Sequence, residues 1–180
     1  MKRLMVEETC CFTGHRKLSS REKKRVHSAL ERTVECLIQA GIRFFGTGGA
    51  LGFDAMAAQT VLKLRSRYPQ IRLILVLPCR SQTRGWKKED IQTYETIRAA
   101  ADKVKYICEE YTWDCMYRRN RHLVDHSSVC VCYLTKRQGG TAYTVNYAKT
   151  QGCSVINLAE MCSYSAGWGK KGVHRKRCTP

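Results

Sequence analysis

The sequence contains no long apolar run. None of its segments approaches the ~20 consecutive apolar residues that a membrane-spanning helix needs. The N-terminus carries Lys2 and Arg3, but no apolar segment of the kind found in secretory signal peptides follows them. We therefore predict a cytoplasmic protein without a membrane partner.

The 11 cysteines lack the spacing of a metal or redox motif. No two of them form a C-x-x-C pair, which argues against a zinc ribbon or a thioredoxin-type site. Cys130 and Cys132 alternate within an apolar segment typical of a strand. We predict free, buried thiols in a reducing compartment and neither a metal nor a cofactor, with a reactive thiol as the alternative.

Acidic residues are scarce. The chain has 32 Lys and Arg against 15 Asp and Glu, which gives a formal net charge of +17 at pH 7. At 180 residues it is long enough for one domain with a large core, which we place at residues 1–160, followed by a basic, flexible tail at 161–180. The excess charge indicates an anionic partner, either a phosphorylated small molecule or nucleic acid, and a merely solvated surface is the alternative.

Apolar segments alternate with segments of helical periodicity. The predicted strands cover residues 7–12, 42–45, 71–78, 103–108, 128–134 and 154–158. The predicted helices cover 53–67, 88–101, 112–124, 141–150 and a segment that begins with the capping box of Ser19 and Glu22 and ends before Gly41. This alternation predicts an α/β fold, a Rossmann-like three-layer sandwich with an open, mostly parallel sheet and helices on both faces.

A glycine-rich segment, Phe44–Asp54, joins a predicted strand to a predicted helix. Unpaired amides at a helix N-terminus attract anions, and glycine lets an anion approach them, so we interpret residues 46–52 as a phosphate cradle. The segment is not the dinucleotide fingerprint, because the third glycine falls at Gly52 where that motif requires position 51. It is not a P-loop either, since no Gly-Lys-Ser/Thr follows. The alternative is a turn whose glycines serve only its local geometry.

Four segments lie where the predicted strands end or a helix begins, and ligands collect at that edge of a parallel sheet. Arginine there can hold phosphate with two hydrogen bonds, and threonine or asparagine can bond ribose or phosphate oxygens; surface charge and helix capping are the alternatives. The candidate ligand-binding residues are Thr13, Gly14, His15, Arg16, Gly46, Thr47, Gly48, Gly49, Gly52, Asp54, Arg119, Asn120, Gly139, Gly140, Thr141 and Thr144. The candidates for stacking a base are Trp86 and Tyr117, although partial burial in the core is the alternative for both.

These motifs resemble a known superfamily. Phe12–Arg16, Gly46–Asp54, Pro78 with Trp86, Arg119-Asn120 and Gly139–Thr141 together are similar to the YpsA-like branch of the SLOG superfamily, over residues ~9–158. That superfamily also includes the DprA single-stranded DNA-binding proteins and the LOG cytokinin-activating phosphoribohydrolases. The resemblance implies a Rossmann-like domain that binds a nucleotide or its derivative, with ADP-ribose-like and cyclic nucleotide signals as the class of ligand.

The sequence departs from the LOG pattern in the loop that assists hydrolysis. Gln138 stands where P-G-G-x-G-T-x-E-E has proline, and Ala142–Thr144 supply no glutamate pair. Asn120 also replaces the lysine of the LOG Met-x-x-Arg-Lys segment. Without those carboxylates the obvious general acid and base are missing, so we assign no catalytic residue, although Asp54 remains a substitute.

The sequence therefore predicts a module that senses or sequesters a nucleotide-derived small molecule. One alternative is a nucleoside-phosphate N-glycosidase, a LOG-like phosphoribohydrolase. Another is DprA-like binding of single-stranded DNA, for which the basic surface predicts weak nucleic-acid affinity and a steep dependence on salt. Assembly into a homo-oligomer stays open.

Overall fold

The computed structural model describes residues 2–164, and the side chains of residues 5–161. The strands are β1 (Thr9–Gly14), β2 (Phe44–Thr47), β3 (Arg72–Leu77), β4 (Lys103–Tyr106), β5 (Val129–Tyr133) and β6 (Ser154–Asn157). The helices are α1 (Lys2–Glu7), α2 (Ser20–Gln39), α3 (Phe53–Leu64), α4 (Lys88–Ala100), α5 (Cys115–Asp125), α6 (Gly140–Thr150) and α7 (Leu158–Tyr164). The predicted basic tail lies outside the described residues from position 165 onward.

The six strands form one parallel sheet in the order β4-β3-β2-β1-β5-β6. One hydrophobic cluster packs α2, α3, α4 and α7 on one face of the sheet, and a second packs α5 and α6 on the other. The predicted Rossmann-like sandwich is confirmed. The strand order reverses between β1 and β5, and crevices form at such a reversal, outside the carboxyl ends of the strands.

The long helix α2 is capped as the sequence predicts. The backbone amide of Ser19 donates to Glu22 Oε2 at 2.7 Å, and the amide of Glu22 donates back to Ser19 Oγ at 3.3 Å. Gly41 follows the helix with φ 97°, a conformation that glycine adopts without strain. The capping box and the glycine stop are both confirmed.

The two ends of the domain differ from the sequence prediction. Helix α1 occupies Lys2–Glu7, so β1 begins at Thr9, whose hydroxyl donates to the carbonyl of Met5. At the other end, the Asn157 side chain accepts a hydrogen bond from the Ala159 amide at 3.2 Å. This contact caps α7, a helix that the sequence analysis does not predict.

The nine cysteines whose side chains are described are all free. The buried ones are Cys10, Cys11, Cys79, Cys115, Cys130, Cys132 and Cys153, as predicted, whereas Cys36 is exposed and Cys108 is partly exposed. Within the described residues, no group of three or more His, Cys, Asp or Glu side chains is arranged to hold a metal ion. The described helices also include none with both the length and the apolar character needed to cross a bilayer.

Candidate functional site

A cleft of about 290 Å³ opens at the carboxyl edge of the sheet, where β1 and β5 end. The structure brings nine of the candidate residues together there: Thr13, Gly14, His15, Arg16, Asp54, Arg119, Asn120, Gly140 and Thr141. Ala50 and Met116 complete its lining. The loop after β1, the start of α3, the first half of α5 and the start of α6 therefore converge on one space.

A buried guanidinium group lies beside this cleft. Arg119 is only 6% exposed, and its Nη1 is 3.4 Å from Asp54 Oδ2, near the limit of a hydrogen bond. Its Nη2 lies 4.0 Å from the sulfur of Met116, which is a weak acceptor, and its Nε has no partner among the described residues. Burial lowers the pKa of Arg119, because desolvation disfavours its charge. The cation is buried with fewer acceptors than its five N–H donors can use.

Asp54, the second residue of α3, is the counter-charge of Arg119. Burial raises the pKa of its carboxyl group, while Arg119, the backbone amide of Ala50 and Arg16 each oppose that rise. The opposing groups favour the ionised form, as a positive charge or a hydrogen-bond donor does. Asp54 is thus a buried carboxyl group paired with Arg119, and the charge of the exposed Arg16 adds to that attraction.

The first glycine turn is filled by protein atoms. A Cβ on Gly48 would lie 0.9 Å from Arg119 Nη1, and a Cβ on Gly49 would lie 2.8 Å from Leu77 Cδ2. The buried side chain of Gln82 donates from Nε2 to the carbonyls of Gly48 and Gly49, at 3.1 and 3.0 Å. These glycines therefore make room for a guanidinium group and a core leucine, where the sequence analysis expects an open phosphate cradle.

The end of this turn is closed as well. Gly52 has φ 75°, and a Cβ there would lie 2.3 Å from the carbonyl oxygen of Arg16. The amide of Phe53, the first residue of α3, donates to the carbonyl of His15 at 3.1 Å. One of the first amides of α3 is therefore already used by the loop after β1.

The remaining two members of the turn lie inside the sheet. Gly46 belongs to β2, and a Cβ there would lie 3.0 Å from Leu123 Cδ2 of α5. Thr47 is fully buried, and its hydroxyl donates to the carbonyl of Asp54 at 3.4 Å. Neither residue lines the cleft, so both serve packing in this structure.

The second glycine turn is open. Gly139 has φ 100°, and no atom of the described residues lies within 4 Å of a Cβ built on Gly139 or Gly140. The carbonyl of Gly139 accepts from the amide of Tyr143 at 3.0 Å, which closes the first turn of α6. No described residue accepts a hydrogen bond from the amides of Gly140–Ala142. This helix start retains the unpaired donors and the partial positive charge that attract an anion.

Comparison with known proteins identifies the family of this chain. The model of the YpsA family, described as the YspA SLOG family, matches residues 10–158. The chain belongs to the YspA SLOG family. The resemblance found in the sequence is thereby confirmed.

Two relatives of this SLOG-family chain are named UPF0398 proteins. The UPF0398 protein BH1768 of Halalkalibacterium halodurans is 31% identical over 127 residues, which cover 69% of this chain and 67% of the relative. A UPF0398 protein of Bacillus thuringiensis is 27% identical over 130 residues, which cover 71% of each chain. Neither name states a ligand.

Solved structures share the fold. DNA processing protein A (DprA) of Streptococcus pneumoniae superposes with a TM-score of 0.64 and 18% identity, and the match covers 93% of this chain but only 59% of DprA. DprA of Helicobacter pylori, whose structure is described as showing a single-stranded DNA binding mode, gives a TM-score of 0.60 and 15% identity over 91% of this chain and 75% of that protein. At these identities the likeness shows the SLOG fold alone.

His15 lines the SLOG-family cleft, but one of its ring nitrogens is already engaged. Its Nε2 accepts a hydrogen bond from the amide of Thr135 at 3.0 Å, which ties the β1 loop to the segment after β5. Desolvation lowers the pKa of His15 and the charge of Lys136 adds to that effect, whereas Glu22 opposes it. The neutral ring therefore helps to hold the two walls of the cleft together.

Besides the five candidates of the first turn and Gly139, three further candidate residues do not line the cleft of this SLOG-family domain. Thr144 is buried, and its hydroxyl donates to the carbonyl of Gly140 at 2.8 Å. The ring of Trp86 packs edge-on against Tyr94 with centroids 5.6 Å apart, and Tyr117 packs in the same way against Tyr143 at 4.8 Å. Trp86 and Tyr117 thus contact tyrosines of the fold and do not face the cleft.

Sequence reasoning missed three residues that shape the SLOG-family site. The sequence signal for Met116 is its position at the start of the Met-x-x-Arg segment that contains the candidate Arg119. Ala50 lay inside the glycine turn without a functional group to mark it. Gln82 belongs to a polar loop after β3, and nothing in its neighbourhood distinguishes the amide that holds the first turn closed.

Proposed function

We propose that the cleft binds a phosphate-containing small molecule derived from a nucleotide, such as ADP-ribose or a cyclic nucleotide signal. The observation that carries this proposal is the under-satisfied guanidinium group of Arg119. A buried charge is costly unless it is paired and hydrogen-bonded, and Asp54 supplies one long contact. A phosphate oxygen would supply the acceptors that the protein does not.

The start of α6 supports the same ligand from the opposite wall. Gly140 and Thr141 line the cleft together with Arg119, and their amides have no acceptor among the described residues. Arg16 adds a second guanidinium group at the exposed side. Unpaired amides, a helix dipole and two arginines are the groups that proteins use to hold phosphate.

Hydrolysis of a nucleoside phosphate is a second candidate function. Asp54 favours it, since burial raises the pKa of a carboxyl group that lines the cleft, as a general acid requires. Against it stands the missing glutamate pair after Thr141. Incubation with AMP followed by chromatography for free base decides between the two, because binding alone leaves the nucleotide intact.

Single-stranded DNA is the competing partner. Two exposed aromatic side chains favour it, Trp113 at 83% and Tyr111 at 63%, which precede α5 and its exposed Arg118. Aromatic side chains next to basic ones stack unpaired bases. A mainly electrostatic complex of this kind loses affinity steeply with added salt, whereas a cleft that holds one small molecule does not.

Isothermal titration calorimetry against ADP-ribose, its cyclic isomers, NAD, cyclic dinucleotides and an oligo-dT strand tests the proposal. We expect binding of at least one of the small molecules. Arg119→Lys retains the charge but loses the planar fork, so it should weaken binding about tenfold or more. Arg118→Lys changes the exposed neighbour on the same helix and should leave binding unchanged.

The proposal fails if folded protein binds none of these small molecules. It also fails if Arg119→Lys, shown to be folded by circular dichroism, binds as tightly as Arg118→Lys. Binding of oligo-dT alone would favour the nucleic-acid alternative.

A further inference from the structure

The lining of the cleft contains a hydrogen-bond acceptor that cannot serve a phosphate group, because phosphate oxygens are acceptors themselves. The Asp54 carboxylate lies among Arg119, Arg16 and the polar side chains of Thr13 and Asn120. An ionised carboxylate only accepts hydrogen bonds, and it repels a phosphate oxygen. A ligand that fills this end of the cleft must therefore present hydrogen-bond donors to Asp54.

The residues around Asp54 restrict which kind of hydrogen-bond donor the ligand can present to it. Arg119 and Arg16 both act on Asp54 electrostatically, so a cationic group there would meet two like charges. Among the described residues that line the cleft, His15 has the only aromatic ring, and that ring is held by Thr135. The cleft therefore offers little aromatic surface on which a base would stack, and the hydroxyl groups of a sugar are the uncharged donors that match its polar lining.

The size of the cleft agrees with a sugar phosphate. Its volume of about 290 Å³ lies just below the range for small-molecule sites, ~300–1,000 Å³. A whole dinucleotide would fill more space than this. The sugar-phosphate end of a nucleotide fits, with its base directed out of the mouth.

Asp54 is fixed in position by its neighbours. A Cβ on Gly14 would lie 2.4 Å from Phe53, so the end of β1 and the start of α3 are in close contact. The Thr47 hydroxyl donates to the backbone carbonyl of Asp54 at 3.4 Å. With its backbone held this way and its carboxylate paired with Arg119 at 3.4 Å, Asp54 can select a ligand by hydrogen bonds formed without rearrangement.

We propose that the cleft takes the ribose-phosphate end of its ligand and that Asp54 accepts hydrogen bonds from the ribose hydroxyls. This inference rests on the proposed function, in which Arg119, Arg16 and the start of α6 hold the phosphate. It makes ribonucleotides the preferred ligands over deoxyribonucleotides. It also makes Asp54 a specificity-determining residue.

An NMR titration with three probes tests this inference: AMP, 2′-deoxy-AMP and inorganic phosphate. We expect AMP to bind at least about tenfold more tightly than 2′-deoxy-AMP, because 2′-deoxy-AMP lacks a hydroxyl that can donate to the charged carboxylate. Inorganic phosphate reports the anion site alone. The comparison uses the unmodified protein and needs no variant to fold.

Two variants test whether Asp54 causes the preference for AMP over 2′-deoxy-AMP. Asp54→Asn should bring the ratio of the two affinities below about threefold, since the amide bonds the hydroxyl without charge. Asp90→Asn removes the carboxylate from the first turn of α4, outside the cleft, and should keep the ratio of the unmodified protein.

The outcomes separate the two proposals. If phosphate and both nucleotides shift the amides of Gly140 and Thr141 with equal affinity, selection by Asp54 is overturned while the phosphate site stands. Tighter binding of 2′-deoxy-AMP overturns the inference in the same way. If none of the three probes shifts cleft residues, the phosphate site and the ribose site both fail.

Discussion

The two glycine turns at the carboxyl edge of the sheet look alike in sequence but differ in structure. In the first turn, Cβ atoms on Gly48 and Gly52 would collide with Arg119 and Arg16. In the second, Cβ atoms on Gly139 and Gly140 would meet no atom within 4 Å in the part of the chain that the structure describes. The first turn uses glycine to admit parts of the protein, and the second leaves its amides to a ligand. A glycine turn before a helix therefore becomes an anion site only when no side chain has filled it.

Removing the side chain that fills the first turn should have the largest effect. Arg119→Met leaves the buried carboxylate of Asp54 without its counter-charge, and we expect the free energy of unfolding to fall by about 3–5 kcal/mol at pH 8. Urea denaturation measures the loss. A loss below about 1 kcal/mol would contradict a closed turn held by this ion pair.

The loss of stability in Arg119→Met should depend on pH. Burial raises the pKa of Asp54 above its ordinary value of 3.8, so this group lowers stability as pH rises through that range. Arg119 opposes the rise in pKa, and without it the pKa of Asp54 is higher still. We expect the loss of stability in Arg119→Met to be smaller at pH 5 than at pH 8. An equal loss at both pH values would show that the carboxylate is not desolvated.

Gly52→Ala should follow in size. The residue has φ 75°, and the added methyl would lie 2.3 Å from a backbone carbonyl that cannot swing aside. The strain of a positive φ and the steric clash together predict a loss of about 3 kcal/mol in the free energy of unfolding. Gly152→Ala is the matched control, because Gly152 has φ 72° and no described atom within 4 Å of an added Cβ, so it should lose only the part due to backbone strain.

Gly48→Ala should cost less, since the atom it meets is the end of a flexible side chain. We expect a loss of about 2 kcal/mol in the free energy of unfolding and a displaced Arg119 with weaker ligand binding. A double-mutant cycle with Arg119→Ala isolates the clash. If the two changes are additive, Arg119 does not occupy the space beside Gly48.

We expect the smallest effect on stability from a substitution in the second glycine turn, which is open. Gly140→Pro removes one unpaired amide at the first position of α6, where proline is well tolerated. Stability should change by less than about 0.5 kcal/mol, whereas affinity for ADP-ribose should fall about tenfold through loss of a hydrogen bond to phosphate. Calorimetry and urea denaturation of one sample separate the two results. Unchanged affinity would remove the start of α6 from the site.

Much of the fold was predictable from local pattern. Strands β3 and β5 are nearly continuous in apolar residues, which is typical of parallel strands covered on both faces. Helices α1 and α7 were not predictable, because they are short and depend on contacts such as the Asn157 cap. Short helices are stabilised by their neighbours more than by their own sequence.

The sequence predicts which residues form the site better than it predicts how they are arranged. Nine candidate residues converge on one cleft, because loops at the carboxyl ends of neighbouring strands meet there. The filling of the first turn depends on Arg119, which lies 65 residues beyond Asp54 in the sequence. No local pattern reports a contact between such distant positions, so Gly48 and Gly140 could not be told apart before the fold was known.

The most direct test of the phosphate site is a titration of ¹⁵N-labelled protein with ADP-ribose, followed residue by residue in ¹H–¹⁵N correlation spectra. The open turn predicts the largest amide shifts at Gly140, Thr141 and Ala142, with small shifts at Gly48 and Gly49, whose surroundings are already filled. Largest shifts at Gly48 and Gly49, or no shifts at the start of α6 on saturation, would contradict it.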